Sequence, residues 1–159
     1  MSKDKELGTL VVVVLKARHL HQPSFYKQDP YAQVAFNGLT KRSKVDPKGG
    51  QHPVWDDELR FPVLVDPSEK NRTIEVSCWK EEPRGEDKLL GQGKVDISET
   101  LKTGEFDDWV QLETSGGARG EVYLEMTFYA AAPPPLTRRP SKLSPSDRLS
   151  RPQGKHPQG

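Results

Sequence analysis

From Glu121 to Phe128 apolar and polar residues alternate without a break. Val122, Leu124, Met126 and Phe128 fall on one side, and Glu121, Tyr123, Glu125 and Thr127 on the other. A period of two makes one buried face only in an extended strand, so this stretch fixes the fold class. The pattern recurs at Ala32, Val34 and Phe36, at Leu59, Phe61 and Val63, and at Ile74, Val76 and Cys78. The run from Gly8 to Ala17 is apolar and rich in valine, too short to span a membrane and poorly suited to a helix. Residues 39–45, 89–97 and 108–112 read as further strands, Asn37-Gly38 as a two-residue hairpin turn, and 98–106 as room for a helical turn. Eight short strands without a long amphipathic helix predict an all-β chain, an eight-stranded antiparallel β-sandwich over residues 8–130 behind a short extension, 1–7.

Residues 131–159 differ in kind. Of the 14 prolines in the chain, seven lie after residue 132, with Leu136, Leu143 and Leu149 as the large apolar residues among them. Such a stretch buries too little surface to offset chain entropy, so it is read as a disordered, Pro-rich basic tail. From residue 133 on it holds six of the 24 Lys/Arg and one of the 23 Asp/Glu, which leaves the preceding body at −4 and the tail at +5. Pro133 to Pro140 has the arginines of an SH3-domain ligand but lacks the second proline of PxxP. Ser141, after Arg138-Arg139-Pro140, and Ser144, before Pro145, have the form of phosphorylation sites.

Several functions find no support. No phosphate loop, Gly-x-Ser-x-Gly elbow or zinc-binding histidine helix occurs, so no enzyme is expected. The acidic body argues against nucleic acid as a partner. Cys78 lies in a strand-like run and reads as a small buried residue. The N-terminus lacks an apolar segment of the secretory kind, so a cytoplasmic protein is expected.

The ordered set of Gly8 to Leu20, Asp29-Pro30-Tyr31, His52 to Trp55 with Leu59 and Phe61, Val76 to Trp79, Leu90-Gly91 and Gly120 to Met126 resembles the C2 domain, a calcium- or phospholipid-binding β-sandwich. Beginning at the strand before Asp-Pro-Tyr and ending on Gly-Glu-Val-Tyr-Leu, it looks like the type II topology of that family. A C2-like domain followed by a Pro-rich basic tail is similar to fungal ingression proteins of cytokinesis. That resemblance implies a peripheral protein at the plasma membrane or division site, with cytokinetic or septum-synthesis proteins as partners and SH3-domain proteins recruited by the tail.

The resemblance also locates a degenerate calcium site. Calcium takes six to eight oxygens, which the family supplies as aspartates from two long loops. Here Asp29 is retained, Pro23 stands where the first aspartate belongs, and Lys80 replaces a ligand in the second loop, leaving Asp29, Glu82 and Asp87. No cofactor is expected, calcium included; the competing reading is a calcium-dependent phospholipid-binding effector. Lys41, Arg42 and Lys44 occupy the place of the family's basic patch for anionic membrane lipids, although alternation sends Lys41 to one face and the other two to the opposite one. Phe25 and Tyr26 form the first loop's aromatic tip, suited to a bilayer interface or a partner's pocket.

Overall fold

The computed structural model describes residues 6–21, 26–65, 72–131 and 143–151. All eight expected strands are present: β1 (Glu6–Arg18), β2 (Pro30–Phe36), β3 (Leu39–Arg42), β4 (Val54–Leu64), β5 (Thr73–Lys80), β6 (Lys88–Asp96), β7 (Glu105–Thr114) and β8 (Gly117–Ala130). A short helix, α1 (Ser98–Thr103), fills the place of the expected helical turn. The strands run antiparallel in the order β3-β2-β5-β6-β7-β8-β1-β4. Because β6 and β7 meet at one rung, Gln92 with Glu113, the sheet folds there into two four-stranded layers.

The seam between the outermost strands, β3 and β4, is bridged by side chains. Lys41 Nζ donates to the Arg60 carbonyl at 2.6 Å, and Asp57 Oδ2 accepts from the Lys44 amide at 2.6 Å. Asn37 and Gly38 both have positive φ, 51° and 81°, the geometry of a tight hairpin turn between β2 and β3.

The core follows the alternation. Ala32, Val34, Phe36, Phe61, Ile74, Val76, Val122, Leu124 and Met126 pack between the layers, with Phe36 edge-on to Phe61 at 6.2 Å. Cys78 is buried among them, and burial pushes its thiol pKa far up, which fits a packing role. One detail departs from expectation. Tyr123 and Glu125 do lie on the outer face of β8, yet they are 4% and 6% exposed, because that face is covered. Part of the cover comes from the stretch read as a structureless tail, where Pro145–Arg148 forms a second short helix, α2.

Candidate functional site

Three connections meet at one end of the sandwich, and Asp29-Pro30 joins them. The Pro30 carbonyl accepts from Trp55 Nε1 at 3.0 Å and from the Asp46 amide at 2.9 Å, which fixes the β3–β4 connection to the start of β2. Asp29 Oδ1 accepts from the Lys48 amide at 2.8 Å, and the Asp29 carbonyl accepts from the Glu81 amide at 3.0 Å. The carboxylate therefore ties one neighbouring loop and the main chain ties the other.

Beside this junction Tyr31 donates its phenolic proton to Asp87 Oδ2 at 2.7 Å, while Asp87 Oδ1 accepts from the Glu82 amide at 3.0 Å. The guanidinium of Arg42 lies 4.5 Å from the centre of the Tyr31 ring, with Nη1 4.0 Å from Asp87 Oδ2. The tyrosine hydrogen bond, followed by the Glu82 amide, holds the Asp87 carboxyl below its ordinary pKa. Burial, then the bond to Asp87, raises the Tyr31 phenol. Glu82 itself pairs with Lys80 at 3.3 Å.

The three residues of the degenerate calcium site thus have separate engagements: Asp29 with Lys48, Glu82 with Lys80, and Asp87 with Tyr31 and Arg42. Among the described residues no three His, Cys, Asp or Glu side chains stand together in a way that suits a metal ion. Pro23 lies outside the described residues.

The basic trio divides, but not as alternation requires: β3 ends at Arg42, and Lys44, expected on the face of Arg42, joins Lys41 on the side of β4. Lys41 lies along the seam with its ammonium 5.5 Å from the centre of the Phe61 ring, and Lys44 Nζ stands 3.8 Å from Asp57 while its side chain is 85% exposed. Arg42 alone turns to the loop end. Tyr26 is 85% exposed there, whereas Phe25, Ser141 and the Pro133 to Pro140 segment fall outside the described residues. Ser144 caps α2, its Oγ accepting from the Asp147 amide at 3.2 Å.

Sequence reasoning missed the joint engagement of Tyr31, Arg42 and Asp87. Nothing in their spacing could have shown it, since the three stand on different elements. It also missed Lys48, whose amide meets Asp29 from a residue with φ 58°.

This architecture is shared with known proteins. Residues 8–112 match the C2 domain family. The chain is 29% identical over 143 residues to the ingression protein fic1 of Schizosaccharomyces pombe, a match covering 89% of this chain and 51% of that protein. It is 28% identical over 138 residues to tricalbin-1 of Saccharomyces cerevisiae, covering 82% of this chain and 11% of the relative. The chain thus spans about half the length of the fission yeast relative, and 64% of the 16 kDa phloem protein 1 of Arabidopsis thaliana, to which it is 27% identical over 62% of its own length. Among solved structures, the tandem C2 domains of extended synaptotagmin 2 superpose with a TM-score of 0.70 at 22% identity, over 82% of this chain and 44% of that one. A single C2 domain of plant extended synaptotagmin 1 does so with a TM-score of 0.69 at 20% identity, over 81% and 99%. With more than half of its residues matched in order and the same sandwich built from them, the chain belongs to the C2 domain family.

Proposed function

We propose that this chain is a non-catalytic C2 adaptor that works at membranes in fungal cytokinesis and septum formation, docking through its loop end without calcium. The observation that carries the reading is the prior engagement of each candidate oxygen ligand, with Asp29, Glu82 and Asp87 in contacts that hold the loops. To bind calcium these carboxylates would have to leave their partners, and the Lys80 ammonium beside Glu82 adds repulsion to any cation placed there. Arg42 and the exposed Tyr26 at the loop end, with the exposed Lys44 on the adjoining seam, supply the alternative: cationic and aromatic groups, each basic one contributing about 1 kcal/mol near an anionic surface. The place in cell division is supported by the fission yeast relative, which is an ingression protein. Residues beyond the sandwich recruit further proteins, SH3-domain partners through the Pro133 to Pro140 segment among them, and Ser144 is the tail's site of proline-directed phosphorylation.

Sedimentation of the full chain with phosphatidylserine vesicles, in chelator and in calcium, tests the reading. Equal binding in both, lost when Arg42 and Lys44 are changed to Glu, is expected. Binding in calcium alone would establish the calcium-dependent phospholipid effector instead. Absence of binding in both would overturn the membrane role, and a tagged chain that ignores the division site would overturn the cellular one.

A further inference from the structure

The outer face of an antiparallel sheet is ordinarily solvated, yet on β1 it is not. Val13 and Leu15 point away from the core and are 1% and 0% exposed, packed with Tyr123 against Trp109 of β7 and Leu143. The rest of the cover is polar. Arg148 Nη2 lies 2.8 Å from Asp56 Oδ1 and 2.9 Å from Glu125 Oε1, with Nε 3.2 Å from Glu125 Oε2. Lys16 Nζ donates to the carbonyls of Asp147 at 2.7 Å and Ser150 at 3.1 Å, and Arg151 reaches Asp46 and the His52 carbonyl.

The sheet is shaped for these contacts. Between Val14 and Lys16 β1 shifts register against both neighbours, leaving Leu15 without a rung. In β4 the same irregularity skips Trp55 and Asp56, and Asp56 has a φ of 51°. Bulges re-aim side chains. Here they turn Lys16 and Asp56 toward the same segment, so that an apolar strip, Val13 and Leu15, is flanked by carboxylates and one ammonium.

We propose that this outer face is a docking site for a short segment carrying Leu and Arg at the spacing of Leu143, Arg148 and Arg151, and that the chain occupies the site itself with residues 143–151. While that segment is seated, the face is closed to other molecules. Charge fits the pairing, since the body is acidic and the tail basic. Reach fits as well. β8 ends opposite Gly8, seven residues along β1 from Leu15, and the eleven residues 132–142 can extend to about 36 Å, against roughly 23 Å for seven strand residues. The polar contacts of Arg148, Arg151 and Lys16 run through side chains, so their loss leaves each rung of β1, β4 and β8 in place.

Nitrogen relaxation of the full chain, wild type and Arg148→Glu, tests the proposal. In the wild type the amides of Ser144 and of residues 146–150 should relax like those of β8. In the variant they should relax like free chain while the sheet resonances persist, and the Trp109 indole should shift. A synthetic peptide of residues 141–153 should then restore the Trp109 shift in the variant. The wild type should need at least about tenfold more peptide, because a segment on a short linker competes at an effective concentration of order millimolar. A wild-type segment that already relaxes as free chain would overturn the proposal. So would a variant whose Trp109 signal ignores the peptide, or one whose segment stays rigid.

Discussion

The phenolic hydroxyl of Tyr31 and the carboxylate of Asp87, 56 residues apart in sequence, form a 2.7 Å hydrogen bond that joins the start of β2 to the loop before β6. The bond favours a protonated tyrosine and an ionised aspartate together. Tyr31 is held above the ordinary phenol value and Asp87 below the ordinary carboxylate value. The aspartate's contribution is therefore complete above about pH 4 and fades as the pH falls through its lowered folded value. The tyrosine's is complete below about pH 10 and fades as the pH rises through its raised one. Urea unfolding of wild type and Tyr31→Phe should show a stability gap that is widest between those limits and narrows at both ends. A gap independent of pH would mean that the bond does not form.

Asp29 is a loop tie. Changing it to Ala frees the Lys48 amide and should cost about 1 kcal/mol, the usual net worth of one hydrogen bond. Because the carboxylate is spent in this way, titration calorimetry of the wild type with millimolar calcium should give no saturable heat. A one-to-one heat that disappears in Asp29→Ala would identify a working calcium cage.

Gly8 marks where β1 and β8 close. A Cβ there would stand 2.1 Å from the Tyr129 carbonyl oxygen and 2.9 Å from the Ala130 Cα, both of them backbone atoms that cannot swing aside. Gly8→Ala should part the rung between Gly8 and Ala130 and destabilise the sheet by about 1–3 kcal/mol, the range for overpacking. Chemical denaturation measures it directly.

The layers of the sandwich were legible because burial on one face writes itself into a period of two, as at Ile74, Val76 and Cys78, and because Asn37-Gly38 supplies the positive φ that its turn demands. The covered outer face was harder to read. Alternation at Tyr123 and Glu125 gives the face, but exposure depends on what lies over it, and that segment lies outside the strand's own pattern, 23 residues from Glu125 at Arg148 and 131 from Lys16 at Asp147. Two signals pointed there. The unbroken run from Leu10 to Leu15 is what a strand buried on both sides looks like, and Ser144-Pro145-Ser146-Asp147 has a cap residue, a first-turn proline and an acid in helix-starting order. For the basic trio, alternation grouped Arg42 with Lys44, whereas Lys44 joins Lys41 and Arg42 turns to Tyr31 and Asp87, since the seam that holds Lys41 and Lys44 exists only once β3 and β4 approach.

The energetics of Arg148 separate a removable segment from a fixed part of the fold. Its partners are well shielded, with the side chain of Glu125 8% and that of Asp56 30% exposed. Were the segment integral, Arg148→Ala would strand a buried carboxylate and cost about 3–5 kcal/mol of global stability. If it seats reversibly, the segment simply departs, water reaches Glu125, and the loss cannot exceed the free energy of seating. Urea unfolding of Arg148→Ala should therefore show a drop of no more than about 1–2 kcal/mol, with new dye-binding apolar surface at Val13 and Leu15 in the folded state. A drop in the larger range, without that surface, would make residues 143–151 a structural part of the sandwich.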